Sequence, residues 1–117
     1  MAKQIPAYLV ASSFMAEGHG SLDPYGNAIH PLMEKYGGEL LVGGDPKQFM
    51  DMYEGEWKEG ARFTLFRFPS MDALQSFWNS EDYQKVKHLR TDVIPPNFTF
   101  GVEGFDMEAW EKEHSNA

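Results

Sequence analysis

The alternation of apolar and polar positions divides the chain into strands and helices that follow one another in a definite order. From Ala7 to Phe14, the side chains of Tyr8, Val10, Ser12 and Phe14 fall on one face and those of Leu9, Ala11 and Ser13 on the other, the period of two that marks a strand. Both faces are largely apolar, which predicts a central strand. Asp23-Pro24 then reads as a helix start, a carboxylate at the N-cap with proline in the first helical position. Tyr25, Ile29, Leu32, Met33 and Tyr36 recur at the spacing of one buried helical stripe. Pro31 is expected to kink this helix and Gly37-Gly38 to end it. A second strand spans Glu39 to Gly43, and Gly44 to Gly60 forms a long hairpin connection with a short extra strand expected around Met52 to Trp57. The third strand runs from Arg62 to Phe68. Ser70 is the N-cap of a further helix that carries Met71, Leu74, Phe77 and Trp78 along one side. Ser80-Glu81-Asp82 restarts the helix and turns Tyr83, Val86 and Leu89 inward. Pro95-Pro96 breaks it, and Asn97 to Glu103 is the last strand, with Phe98, Phe100 and Val102 on one face.

This order, βαββαβ, is the ferredoxin-like α+β pattern, in which two crossover units interleave into one antiparallel sheet. Its helices cover one face of the sheet. Because the first and third strands are apolar on both faces, the other face calls for a second sheet, which a twofold homodimer supplies as a dimeric α/β barrel. Residues 1–105 are expected to form this single domain and 106–117 an acidic tail, in which Met107 and Trp110 offer a docking surface.

Composition narrows the partners. A chain of 117 residues has room for one core, hiding roughly two-thirds of the surface its unfolded form exposes. Its formal charge of −8 argues against nucleic acid and anionic membrane surfaces, which are bound through clustered Lys and Arg. Nine Phe, five Tyr and three Trp are more rings than a core this small requires, so some are expected to line a pocket or an interface. With no cysteine there is no disulfide framework, thiolate metal site or Cys nucleophile. No stretch approaches the ~18 apolar residues of a membrane span or the form of a signal peptide, so a cytoplasmic protein is expected.

Several short pieces, in this order and spacing, carry a family resemblance: Asp23-Pro24-Tyr25, Tyr36-Gly37-Gly38, Glu54-Gly55-Glu56-Trp57, Arg62, Phe68-Pro69-Ser70, Trp78, the Ser80 to Tyr83 turn, Arg90 and Glu103-Gly104. Over residues 7 to 104 the chain resembles the domain-of-unknown-function 1330 family of small dimeric α/β-barrel proteins. The resemblance implies fold and dimerisation and brings no general activity with it. Relatives by fold include cofactor-free polyketide cyclases, monooxygenases and small lyases or isomerases, an analogy of fold alone. The chain departs from the usual family pattern at Arg67, where an acidic residue is common, and in longer segments around Glu17-Gly18-His19-Gly20 and Gly44 to Gly60.

In this topology both lengthened segments sit at one end of the sheet, together with the candidates for chemistry. His19, between two glycines, is either a general acid or base over a pocket or a solvated loop histidine. His88 with Arg90 pairs a proton-transfer group with a guanidinium suited to a carboxylate or enolate, although Arg90 also fits as a helix C-terminal charge or an ion-pair partner of Asp82 or Glu103. Asp45-Pro46 reads as a turn former or a catalytic carboxylate, and Arg62 as a mouth cation or a salt bridge to the acidic hairpin. His30 is a reserve base. Phe14, Trp57, Phe66 and Trp78 are candidates for the walls of an apolar, substrate-binding cavity, or plain core and dimer contacts. The four histidines show no metal-ligand spacing, and nucleotide-binding and serine-hydrolase motifs are absent, so no cofactor and no metal is expected. The resulting expectation is a cofactor-independent enzyme acting on a small apolar or enolisable substrate, most simply a polyketide-type cyclase or lactone-forming enzyme. A non-catalytic dimer that holds a hydrophobic metabolite and a cofactor-free monooxygenase are the alternatives.

Overall fold

Strand β1 (Ala7–Phe14) lies at the heart of a four-stranded antiparallel sheet with β2 (Glu39–Val42), β3 (Ala61–Phe68) and β4 (Pro96–Glu103), in the order β2-β3-β1-β4. This α+β arrangement is compatible with the ferredoxin-like pattern, and the two strands that are apolar on both faces take the two central positions. The structure, a computed structural model, describes residues 4–15, 20–45 and 47–115.

Register sorts the two faces. Leu9 stands opposite Phe66 and Gly101, and Ala11 opposite Thr64 and Thr99, on the face that receives the helices. Val10 stands opposite Leu65 and Phe100, and Ser12 opposite Phe63 and Phe98, on the other face, where Phe100 and Val102 are exposed. Helices α1 (Asp23–Tyr36), α2 (Met71–Asn79) and α3 (Glu81–Val86) contribute Ile29, Met33, Leu74, Phe77 and Tyr83 to a core shared with Ala7, Leu9 and Phe68, while α4 (His88–Thr91) has no buried residue. Phe77 is its hub, with ring centroids of Phe68 at 5.2 Å and Tyr83 at 4.6 Å.

The caps explain the boundaries. Ser70 Oγ accepts the Ala73 N–H at 3.1 Å and so starts α2. Ser80 works in both directions, donating its hydroxyl to Phe77 O at 2.8 Å and accepting the Tyr83 N–H at 3.1 Å. At the end of α1, Gly37 takes a left-handed conformation (φ 75°) that a side chain would strain.

Two sequence expectations need correction. The N-cap of α1 is Leu22 rather than Asp23, because Asp23 is already inside the helix and the Leu22 carbonyl accepts the Gly26 N–H at 2.9 Å; Asp23 instead places its charge in the first turn, where the helix dipole favours it. Pro31 lies inside α1, and Gly37 ends the helix as expected. The extra strand around Met52 to Trp57 does not form. The adjacent edge of β3 is already occupied: the Gln48 carboxamide accepts the Phe63 N–H at 2.9 Å and donates to Phe63 O at 2.7 Å, taking the place of a strand residue. Past β4, the acidic segment forms a further helix, α5 (Met107–His114), which is exposed along its length and capped by Asp106.

Candidate functional site

Strands β1 and β2 both end where β3 begins, so the segments after β1 and β2 and before β3 and β4 gather at one end of the sheet. Between that end and the helices lies a cavity of about 180 Å³. Its floor is the helix-facing side of the sheet, with Leu9, Ala11 and Ser13 from β1, Thr64 and Phe66 from β3 and Thr99 from β4. Tyr25, Trp78, Tyr83 and Arg90, one from each of α1 to α4, form the opposite wall, and Met15, Leu22 and Ile94 close the sides.

Besides the hydroxyls of Ser13, Thr64 and Thr99 on the floor, three polar side chains meet on the helical wall. The hydroxyls of Tyr25 and Tyr83 lie 3.0 Å apart, within hydrogen-bond distance, with their rings edge to face at 6.4 Å. The Arg90 guanidinium lies over the Tyr25 ring, Cζ 5.7 Å from its centroid, a cation–π contact. Nη1 of Arg90 is buried and has no hydrogen-bond partner among the described residues. Burial pushes the Tyr25 phenol well above its ordinary range; the neighbouring Tyr83 adds to the rise and Arg90 offsets part of it. Tyr25 is therefore a proton-bearing hydroxyl at any physiological pH. Burial also disfavours the Arg90 cation, but Tyr83 and Tyr25 outweigh that penalty, and the group stays charged.

Of the residues singled out from sequence, the cavity brings together Arg90, Phe66 and Trp78. His88 is exposed on α4 and is not part of the lining. His30 points outward from α1, where its ring lies 3.7 Å from Glu34, beside a separate groove between α1 and β2. Asp45 organises its own turn, accepting the Lys47 N–H at 2.7 Å and, through its carbonyl, the Gln48 N–H at 2.8 Å. Arg62 lies at the start of β3 opposite Ser13 and donates to Ala61 O at 3.0 Å. Phe14 and Trp57 belong to the other face of the sheet; Trp57 packs edge to face on Phe98 at 5.9 Å and donates its indole N–H to Ala61 O. His19 lies outside the described residues. Arg90 forms no ion pair with Asp82 or Glu103 among the described residues.

Two site residues, Tyr25 and Tyr83, were legible only as inward-facing members of helical stripes. The available signal was chemical: a tyrosine directed into a core must find a partner for its hydroxyl, and two such residues on adjacent helices find each other.

The matched family is decided by sequence over almost the whole of this fold: the model of the domain of unknown function DUF1330 matches residues 6–105. The chain belongs to the DUF1330 family. No functionally curated protein matches it. Among solved structures, the DUF1330 chain is similar to the RPA0582 protein of unknown function from Rhodopseudomonas palustris, with a TM-score of 0.63 at 16% identity over 88% of this chain and 85% of that one. It is also similar to a methylated form of the RPA0582 protein, with a TM-score of 0.62 at 14% identity over 89% and 84% of the two chains. At these identities the likeness is one of fold. Among the described residues no group of three His, Asp or Glu side chains is placed to hold a metal ion, and no helix is long and apolar enough to cross a membrane.

Proposed function

We propose that this DUF1330 chain is a cofactor-independent enzyme that polarises a small, mostly apolar carbonyl compound toward enolisation and ring closure, the cyclase-like or lactone-forming chemistry expected from its sequence. The observation that carries the reading is the Tyr25–Tyr83 hydroxyl pair beside the partly buried Arg90 guanidinium in a mostly apolar cavity. A hydroxyl that keeps its proton and lies close to a fixed positive charge can donate to the enolate oxygen as it develops, while the α-proton passes to a water molecule, since no imidazole or carboxylate stands among the described lining residues. Size limits the substrate. At about 180 Å³ the cavity is smaller than the roughly 300–1,000 Å³ typical of sites for drug-sized ligands, so the substrate is a single small ring precursor rather than a long polyketide chain.

Incubating the purified protein with short β-keto esters, oxo acids and their lactones, and following solvent deuterium incorporation next to the carbonyl, tests this reading. Exchange that depends on the protein and falls about 10²-fold or more in Tyr25→Phe is expected. Exchange at the uncatalysed rate with every substrate refutes it. Non-catalytic binding of a metabolite is favoured by one observation, that no imidazole or carboxylate stands among the described lining residues. A ligand that binds without exchange or turnover would select it.

The proposed working form is a homodimer, the dimeric barrel expected from the pattern. Its support is the uncovered sheet face, where Phe100 and Val102 are 49% and 44% exposed in line with Val10, Leu65 and Phe98. Sedimentation at micromolar concentration is expected to give a dimer, and Phe100→Asp a monomer. A wild-type monomer would overturn this part of the proposal.

A further inference from the structure

Arg90 presents a question that the fold leaves open. Arginine cannot shed its charge in a protein, and a partly buried guanidinium that leaves a buried donor unmade is costly unless an acceptor meets it. The chain has 18 acidic residues against 10 Lys and Arg, yet none of the described carboxylates lies within ion-pair distance of Arg90. The buried atom left without a hydrogen bond among the described residues is its Nη1. Tyr25 and Tyr83 favour the cation through their hydroxyl oxygens, but phenols that hold their protons bring no negative charge to pair with it. The counter-charge is therefore left to whatever enters the cavity.

We infer that the ligand of this cavity is a short monocarboxylate, its carboxylate held by Arg90 and its apolar body laid against Leu9, Ala11 and Phe66. This rests on the cavity being the working site and adds the chemical class of what it takes. One negative charge is the number the lining can match, since Arg90 is its one cation among the described residues. A phosphate monoester would bring a second charge with no cation to meet it and a strongly hydrated group with few donors. The small volume and the apolar part of the floor, Leu9, Ala11 and Phe66, select a short apolar body. In a substrate bearing both groups, Arg90 is the carboxylate anchor and Tyr25 the donor to the reacting carbonyl, which separates binding from chemistry between two neighbouring side chains.

The experiment is a calorimetric titration of the full chain with butyrate, hexanoate and 3-oxobutyrate, each beside its primary amide and methyl ester, with inorganic phosphate as a further probe. The acids are expected to bind at least about tenfold more tightly than their amides, the discrimination that a charge-assisted hydrogen bond gives. In Arg90→Gln the ratio of acid to amide is expected to fall to about one, with Arg90→Lys restoring part of it. The wild-type comparison needs no variant, so the inference remains falsifiable if Arg90→Gln does not fold. Amides that bind as well as acids, phosphate that binds more tightly than the carboxylates, or no acid bound at tens of millimolar overturns the inference. An acid bound without deuterium exchange leaves the ligand class standing and removes the catalytic reading, whereas exchange of neutral esters with no preference for acids does the reverse.

Discussion

Replacing Gln48 by alanine isolates a device on which the mouth of the cavity depends. Its carboxamide spans the free edge of β3, accepting the Phe63 N–H at 2.9 Å and donating to Phe63 O at 2.7 Å and Gly43 O at 3.0 Å. Each such bond contributes about 1 kcal/mol net, and the site is partly reached by water, which can replace some of what is lost, so Gln48→Ala is expected to cost about 1–3 kcal/mol. The effect should be local before it is global. Hydrogen exchange at the Phe63 amide is expected to accelerate about tenfold or more, while amides on the β1–β4 side keep their protection. Gln48→Glu sharpens the test: a carboxylate still accepts from the Phe63 N–H but cannot donate, and it sets its charge against two carbonyl oxygens. That variant is expected to be no better than alanine at neutral pH. If the Phe63 amide exchanges as slowly in both variants as in the parent chain, the side chain is not what closes this edge and the account of the missing hairpin strand fails with it.

Gly44→Ala is expected to lose about 1–3 kcal/mol in chemical denaturation and to shrink the cavity, because an added Cβ would lie 2.6 Å from Thr64 Oγ1 and 3.2 Å from Met15 Cε. Alkaline titration followed by tyrosine absorbance should find Tyr25 among the last phenols to ionise, since burial raises it first and foremost. Below about pH 10 both folded and unfolded chains hold that proton; above it the unfolded chain releases it first, so stability falls with rising pH. The fall should be shallower in Tyr25→Phe, and an unchanged slope would remove Tyr25 as its cause.

The periodicities carried most of the fold. Apolar residues on both faces of Ala7–Phe14 and Arg62–Phe68 marked the strands that prove central, and Ser70 and Ser80 marked helix starts, because a hydroxyl before an apolar run has one economical use for its oxygen. The hairpin misled because Met52 to Trp57 has strand-like residues, and only tertiary structure reveals that a side-chain amide from Gln48 already fills the neighbouring edge. The site was legible in Arg90, Phe66 and Trp78, whose positions follow from strand parity and helix facing. Histidines drew attention for their pKa, but a composition argument cannot tell which way a ring on α1 or α4 points. The Tyr25–Tyr83 pair spans 58 positions of sequence and needed the packing of α1 on α3 to appear.

Apart from Tyr25 on α1, the wall opposite the sheet is assembled from α3, with six residues, α4, with four, and the last turn of α2, the two-way hydroxyl of Ser80 joining α2 to α3. Elements this short owe their position to caps and to a few inward rings rather than to their own length. Substitutions there can reshape the chamber while the strand registry stays untouched. The scaffold thus has a fixed floor and an adjustable ceiling, a division that lets the chamber change shape without refolding the sheet.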